Sequence, residues 1–498
     1  MNEALSRLKE MDTEIQHLSH IEALLSWDQE TGLPPLAVEE RSRQLSLIAG
    51  LLHDRITAEQ AGELLAKIPA PEGLPDADRA FVREFARRYD RKTRVPKKLV
   101  VELARQGALS QNRWVEARSA SDFSIFAPSL EAVVSLVREM ASALGWEEQA
   151  YDPLLDEYEP YMKTQELERI FAAFLPRLKG LVARIAAAGR EPDTAFLSRS
   201  FPLALQEKFG RQVLEAMGYD FRRGRLDVSA HPFTTKLGNA DVRLTTRYNP
   251  EYFNSGIFGT IHEGGHGIYE QGAGVGQGDT LLADGASMGM HESQSRLYEN
   301  VIGRSLPFWK YFYPRLRELF PAALKDVDLK TFYRGINAVR PSLIRVEADE
   351  VTYNLHIVLR FNLEKALLEG SLAVRDLPEA WNQQSAELLG LMPPGDAEGV
   401  LQDIHWCWGA IGYFPTYTLG NLYSAQLYAA MQRDLPDLEK EVAKGNLEIV
   451  RAWLAEKIHK AGRLYPAGEL CLRATGEELD PAYFMDYLEA KYSEIYGS

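Results

Sequence analysis

Apolar residues recur along the chain at three- and four-residue steps, the spacing that puts them on one face of an α-helix. Leu130, Val133, Val134, Val137, Met140, Ala141 and Leu144 form one such stripe. Similar stripes run through 1–25, 36–52, 165–189, 354–369 and 421–433. Each predicts an amphipathic helix with its apolar face turned to a core. The breaks are short. IPAPEGLPDAD at 68–78 reads as a turn, and Gly189 with Pro192 closes the helix before it. Neither has the length of a flexible linker, and no fixed-period repeat or low-complexity segment divides the chain. The expectation is one mainly α body over 1–498, with an N-terminal helical lobe to about 220 and a second lobe over 221–498.

One stretch departs from the helical rhythm. Residues 225–248, RLDVSAHPFTTKLGNADVRLTTRY, alternate β-branched and polar residues about Gly238 and Asn239. Alternation around a Gly-Asn pair predicts a small antiparallel sheet.

Composition then limits what this body does. With 45% hydrophobic and 26% charged residues the chain has ample material for a core, and disorder is excluded. A formal net charge of −15 leaves no general attraction for nucleic acid or an anionic membrane, so an anionic ligand must be caught by local basic residues. The start, MNEALSRLKEMDTEIQHL, carries acids where a signal peptide would need a basic end and an apolar run. No window approaches the roughly 20 apolar residues that span a bilayer. Cys407 and Cys471 are too few for a disulfide framework and fit a reducing cytoplasm. They also cannot build a thiolate-rich metal site, which turns attention to the histidines.

The strongest chemical signal is HEGGH at 262–266. Residues four apart share a helix face, so His262 and His266 can reach one ion while Glu263, one step round, points toward a bound water. Ile257, Phe258, Ile261, Gly265, Ile268 and Tyr269 supply a buried stripe, Asn254 or Ser255 the start and Gly272 the end of that helix. Gly264 and Gly265 each cost a helix about 1 kcal/mol relative to alanine, so a neighbour must need the room they leave. A catalytic zinc takes three protein ligands and keeps one position open. A third histidine at 272, with glycine at 269, is excluded by Gly272 and Tyr269. Glutamates remain: Glu270, Glu292 and Glu299. Glu270 would have to fold back on its own turn, whereas Glu292 opens the helical segment MHESQSRLYEN after a Gly-rich connection. Glu292 is therefore preferred, with Glu299 as the alternative.

Taken in order, HPF at 231–233, DVRLT at 241–245, HEGGH, HESQS at 291–295, IRVEAD at 344–349 and GVLQDIHW at 399–406 resemble the carboxypeptidase Taq family of HExxH zinc metallocarboxypeptidases. SWDQET at 26–31 and YDPLLDEYEP at 151–160 extend the resemblance over nearly the whole chain. It implies a mostly helical fold with a deep active-site groove, a homodimer, and release of single residues from peptide C-termini with broad specificity. It further implies His262, His266 and Glu292 as ligands and Glu263 as base, within one peptidase domain whose catalytic lobe carries the motif helix. Tyr161 departs from it, standing where the family is expected to have glycine.

The reaction needs further groups. The ion is read as zinc, with cobalt as a possible replacement. An oxyanion donor is sought in HWCWGAIGYFPTY, where His405, Tyr413 and Tyr417 are candidates and His405 with Tyr417 the preferred pair, although aromatic residues in such a segment default to the core. A free substrate carboxylate calls for a guanidinium. Arg345, held by Asp349 four positions on in a helix, and Arg243 are the candidates, against simple structural pairing with Asp349 and Asp241. His231, His291 and Gln402 are candidates for orienting substrate or metal ligands. The partners expected are peptides with a free C-terminus, not nucleic acid or membrane. Rival readings are an oligopeptidase or endopeptidase with the same metal chemistry, and a peptide-binding protein with a vestigial metal site. Glu263 argues against the latter, because binding alone needs no base.

Overall fold

The stripe at 130–144 becomes the inner face of a helix over Ala127–Leu144, entered at a proline and closed by Gly145 at φ +80°. Leu130, Val133, Val134, Val137, Ala141 and Leu144 are buried, and Met140 packs beside them partly covered. This computed structural model describes residues 3–68 and 73–497. The other stripes form helices over Glu3–Thr31, Val38–Ile56, Thr164–Ala187, Tyr353–Glu369 and Pro415–Asp434. Val38–Ile56 differs in kind: Leu52 is buried, but Leu47 and Leu51 are 64% and 46% exposed. Its contact with the core is a narrow seam rather than the full stripe expected. The break at 68–78 lies partly outside the described residues, and a helix begins at Asp76. Among the described residues no helix is long and apolar enough to cross a membrane.

The chain forms two compact units. The first comprises Met1–Thr93, Pro192–Ile336 and Tyr423–Leu479, and the second Arg94–Glu191, Asn337–Leu422 and Asp480–Ser498. Both draw residues from either side of position 220, so these units do not follow the lobes expected along the sequence.

In the first unit an aromatic cluster fixes the start of the HEGGH helix. Phe253 packs its ring 5.1 Å from Phe201, 6.2 Å from Phe320 and 6.3 Å from Phe332. Such pairs add about 0.5–1.5 kcal/mol each beyond the area they bury. Beside that helix lies a three-stranded sheet: β1 (Gly224–Val228), β2 (Thr234–Lys236) and β3 (Val242–Thr246), in the order β1-β3-β2. β2 and β3 pair antiparallel about Gly238 and Asn239, as the alternation predicts. β1 instead runs parallel to β3, which makes the sheet mixed. The cause is the connection after β1. Ser229 lies 2.6 Å from the His231 carbonyl and 2.7 Å from the Thr245 hydroxyl, which carries the chain over the end of β3 to its far edge before β2 turns back.

In the second unit Tyr161 has φ +73°, in the left-handed region. That conformation costs a side-chain-bearing residue about 1–2 kcal/mol and explains why glycine is expected there by resemblance. The turn is held by the Tyr161 N–H, which donates to Asp156 Oδ1 at 2.7 Å.

Candidate metal centre

The HEGGH helix spans Phe253–Gly272. It begins after Tyr252 without a side-chain cap, so Asn254 and Ser255 sit inside its first turn rather than ahead of it. The aromatic packing of Phe253 sets the start in place of a capping oxygen. Ile257, Phe258, Ile261, Gly265, Ile268 and Tyr269 are all buried, as their spacing predicts.

The two glycines have a physical reason. A Cβ on Gly265 would come within 2.6 Å of Ser295 Cα and 2.7 Å of the Gln294 carbonyl, and one on Gly264 within 2.3 Å of Leu214 Cδ2. Two backbones therefore touch where the HEGGH helix meets a second helix, Met288–Arg296. That second helix is capped by Ser287, whose hydroxyl accepts from the Met290 N–H. The close approach is what carries Glu292 to the histidines.

Among the described residues, one group of side chains has the spacing of a metal site: His262, His266 and Glu292 offer ligand atoms all within 4.8 Å of one another. His266 Nε2 stands 3.5 Å and His262 Nε2 3.9 Å from Glu292 Oε2. Ligand atoms about 2.1 Å from a tetrahedral ion are roughly 3.4 Å apart, so the donors fit with small adjustment. Two imidazoles and a carboxylate are also the donor chemistry of a hydrolytic divalent site.

The other two glutamates occupy different places. After Arg296 the helix widens into a π turn over Leu297–Ile302. Glu299, on that turn, meets His262 at Nδ1, 2.9 Å away, and so leaves Nε2 facing Glu292. Glu270 lies behind His291, 2.7 Å from its Nε2, while His291 Nδ1 is 2.6 Å from His266 Nδ1. Burial would raise all three carboxyl groups. In Glu292 the charges of Arg296 and His262 overcome it and hold the pKa well below the usual carboxylate range. Glu299 is drawn down to about 2 by Arg296 and His262, and Glu270 to about 2 by His291 and Lys236. Arg296 Nε donates to Glu292 Oε1 at 2.7 Å, which leaves Oε2 for the histidine side.

Glu263 is buried, and burial raises its pKa above the ordinary 4.5 against the pull of His262 and Thr234. The Thr234 hydroxyl donates to Glu263 Oε2 at 2.7 Å. β2 therefore fixes the rotamer of this carboxyl. Burial lowers the pKa of His266 to about 4, which keeps its ring neutral and able to ligate.

The remaining predicted residues fall elsewhere. Arg243, on β3, donates to both oxygens of Asp241 at 2.9 and 2.7 Å and lies over the Trp27 ring, the structural pairing weighed for it above. His231 is exposed in the loop between β1 and β2. Arg345, Gln402, His405, Tyr413 and Tyr417 gather in the second unit. IRVEADE does not form the helix expected: Arg345–Glu347 is a single 3₁₀ turn, and Asp349 accepts from the N–H groups of Val351 and Thr352 at the start of the next helix. Without helical spacing Asp349 cannot hold Arg345. Its partner is Asp403, reached from Nε and Nη2 at 3.1 and 2.9 Å, while Nη1 donates to the Tyr353 hydroxyl at 2.9 Å. Gln402 accepts from the Arg345 N–H at 3.0 Å. His405 stacks on Tyr413 at 5.4 Å, Tyr413 meets Tyr417 edge-on at 5.3 Å, and Arg345 lies 5.1 Å from the Tyr417 ring.

Thr234, Arg296 and Asp403 escaped the sequence reading. Arg296 had a local signal, four residues after Glu292 on one helix. Thr234 and Asp403 act across long sequence separations that no spacing reports.

Also missed was Glu364, fully buried and accepting from the Tyr151 hydroxyl at 2.8 Å, Trp406 Nε1 at 2.8 Å and the Gly412 N–H at 3.0 Å. Burial pushes its pKa from 4.5 up to about 7, against those three donors. A raised folded value gives stability that is full below the unfolded value and lost as pH rises through the folded one. The contribution of Glu364 to the thermal midpoint should therefore be lost between about pH 4.5 and 7, and Glu364→Gln should flatten the fall over that window. An equal slope in the variant would assign the titration to another group.

The likenesses to known proteins agree with this geometry. A family model described as carboxypeptidase Taq (M32) metallopeptidase matches residues 7–492. Thermostable carboxypeptidase 1 of Thermus thermophilus is 45% identical over 506 residues, covering 99% of each chain. Carboxypeptidase 1 of Bacillus subtilis is 40% identical, over 97% of this chain and 96% of its own. The crystal structure of M32 carboxypeptidase from Deinococcus radiodurans R1 superposes with a TM-score of 0.97 at 41% identity, over 99% of this chain and 100% of that one. A family model matched over residues 7–492 and full-length identity at this level leave one assignment: the chain belongs to the carboxypeptidase Taq (M32) family of metallopeptidases.

Proposed function

We propose that this metallocarboxypeptidase uses zinc, held by His262, His266 and Glu292, to release single amino acids from the C-termini of peptides, with Glu263 as general base. The observation that carries the reading is the approach of three ligand atoms to within 4.8 Å, with a buried carboxyl on the next residue of the same helix. Zinc bound there would lower the pKa of its water toward about 7 and polarise the scissile carbonyl. Glu263, made more basic by burial and held in place by Thr234, takes the water's proton and passes it to the leaving amine.

His405 and Tyr417 are the proposed oxyanion donors, with Tyr413 stacked against His405 as a substrate contact. Burial lowers the pKa of His405 to about 4, so at neutral pH the ring is uncharged and donates through one nitrogen. Arg345 is the proposed carboxylate anchor, positioned by Asp403 and Gln402; Arg243 is the second candidate, and His231 a peripheral substrate contact.

A peptide and its C-terminal amide, compared by mass spectrometry of the products before chelation, after chelation and after zinc return, test the reading. Stepwise loss of single residues from the free acid only, abolished by chelation and restored by zinc, is expected. Internal cleavage of the amide would replace the exopeptidase reading with an endopeptidase, and activity indifferent to chelation would remove the metal. His262→Ala and His266→Ala should lower zinc content, since two remaining ligands hold a catalytic ion poorly. Glu292→Gln should lower it more than Glu299→Gln, whose amide oxygen can still accept from His262 Nδ1. The opposite order would make Glu299 the third ligand.

The whole chain is taken as one peptidase domain. Buried, free Cys407 and Cys471 support a reducing compartment, and the cytoplasm is the one proposed. A homodimer is proposed as well, for which Leu36, Leu47 and Leu51, exposed on the N-terminal helices, offer apolar surface.

A further inference from the structure

Among the described residues, the second ring nitrogen of His266 meets no carboxylate or carbonyl, the usual support of a metal-bound imidazole. It rests on another imidazole, His291, 2.6 Å away between the two Nδ1 atoms. His291 Nε2 lies 2.7 Å from Glu270 Oε1, and Glu270 Oε2 lies 3.3 Å from Lys236 Nζ. Lys236 is itself tied down, donating to the Ala283 carbonyl at 2.6 Å and standing 3.6 Å from Asp284. We propose that His291, Glu270 and Lys236 are positioning residues that fix the ring and tautomer of His266, and that β2 orients a metal ligand and the general base together.

The tautomer follows from donor counting. A carboxylate can only accept, so the proton on His291 sits at Nε2 facing Glu270. A metal held at His266 Nε2 requires the proton of that ring on Nδ1, and His291 Nδ1, 2.6 Å away, is the atom placed to accept it. His266 Nε2 then carries the lone pair and faces Glu292. Lys236 pairs with Glu270 and keeps it ionised and aimed. Successive side chains on a strand alternate, so Thr234 and Lys236 leave β2 on one face. The first reaches Glu263 and the second Glu270, seven residues further along the same helix. Three residues of strand thus brace the base and, through two intermediates, a ligand.

This inference rests on the metal reading of His262, His266 and Glu292, and the experiment separates the two. The apo-protein is titrated with zinc against a chromophoric chelator, with thermal unfolding of the apo form recorded alongside. His291→Phe keeps the ring and removes both hydrogen bonds; Glu270→Gln and Lys236→Met weaken the relay further out. Loss of such outer support typically costs 10–100-fold in metal affinity. A drop of about that size is expected for His291→Phe, with smaller drops for the other two and apo-protein midpoints near the parental one. A role in packing alone would lower the midpoints and leave zinc affinity unchanged. Parent and variants holding zinc equally well would overturn the relay alone, while a parent that holds no zinc would overturn the metal reading and the relay with it. If His291→Phe does not fold, Lys236→Met decides by the same measurement, because the substituted residue lies on β2, outside both helices that carry the ligands.

Discussion

Glu263→Gln is expected to lower kcat by about 10²–10⁴-fold while zinc content stays parental, the range over which a positioned general base contributes. The variant isolates the proton transfer. Glutamine has the shape of glutamate, and its amide oxygen can still accept from the Thr234 hydroxyl that lies 2.7 Å from Glu263 Oε2. Glu263 is not among the three clustered ligand atoms, so its loss leaves them in place. What the amide cannot do is take a proton from water near neutral pH. Substrate affinity should change little, which places the defect in turnover rather than KM. Pre-steady-state kinetics with metal analysis would measure it. Turnover within a few-fold of the parent would remove Glu263 from the chemistry.

The sequence makes this much of the site readable because the motif is local. His262, Glu263 and His266 share one helical turn, and a 3.6-residue period is enough to place them on adjoining faces. The helices of the body are readable for the same reason, wherever an apolar stripe meets a core, as over Ala127–Leu144. Val38–Ile56 has a stripe of equal quality and leaves Leu47 and Leu51 in solvent, because periodicity reports amphipathicity and not what covers it. IRVEADE failed differently. A helix there would have placed Asp349 beside Arg345, but the Asp349 carboxylate is taken by the backbone donors of the following helix.

Glycines and long-range partners show where the limit lies. Gly264 and Gly265 signal a close neighbour, yet nothing in the local pattern says that Gln294 and Ser295 are the backbone that needs the space. That contact supports the proposal of Glu292 over Glu270 and Glu299 as the third ligand. Glu292 rides on the helix that Gly265 admits, Glu299 is displaced to the far nitrogen of His262 by the π turn, and Glu270 backs His291. The mixed sheet belongs to the same class: the antiparallel hairpin is local and visible, whereas the parallel strand depends on a crossing over β3.

Arg345→Ala is expected to reduce kcat/KM on peptides with a free C-terminus by about 2–5 kcal/mol, roughly thirty- to several-thousand-fold, the cost of leaving a buried charge without its partner. The reason lies in the charge balance of the second unit. Asp403 is gripped from one side by Arg345 and from the other by Arg360, whose Nε donates to Oδ2 at 2.6 Å. Two buried guanidiniums share one carboxylate, and burial keeps His356 and His405 uncharged, at about 3 and about 4. Asp403 and its two guanidiniums taken alone leave one positive charge in excess, with Glu364 near Arg360 titrating at about 7, and on the proposed reading a substrate carboxylate would supply the missing negative charge. Asp403 plays the opposite part. Its carboxyl is held well below the usual range by the two guanidiniums in spite of burial, and Asp403→Asn would strand both cations, costing about 3–5 kcal/mol of folding stability. The two variants should separate cleanly. Arg345→Ala should lose catalytic efficiency on free-carboxylate peptides at unchanged zinc content, and Asp403→Asn should show a depressed thermal midpoint before any question of activity arises. Arg243→Ala is the control, since that guanidinium is already matched by Asp241 and carries no excess charge. If Arg345→Ala cleaves free-carboxylate peptides as well as the parent and Arg243→Ala does not, the anchor belongs to β3; if both do, neither arginine reads the C-terminus, and the excess charge around Asp403 serves the fold alone.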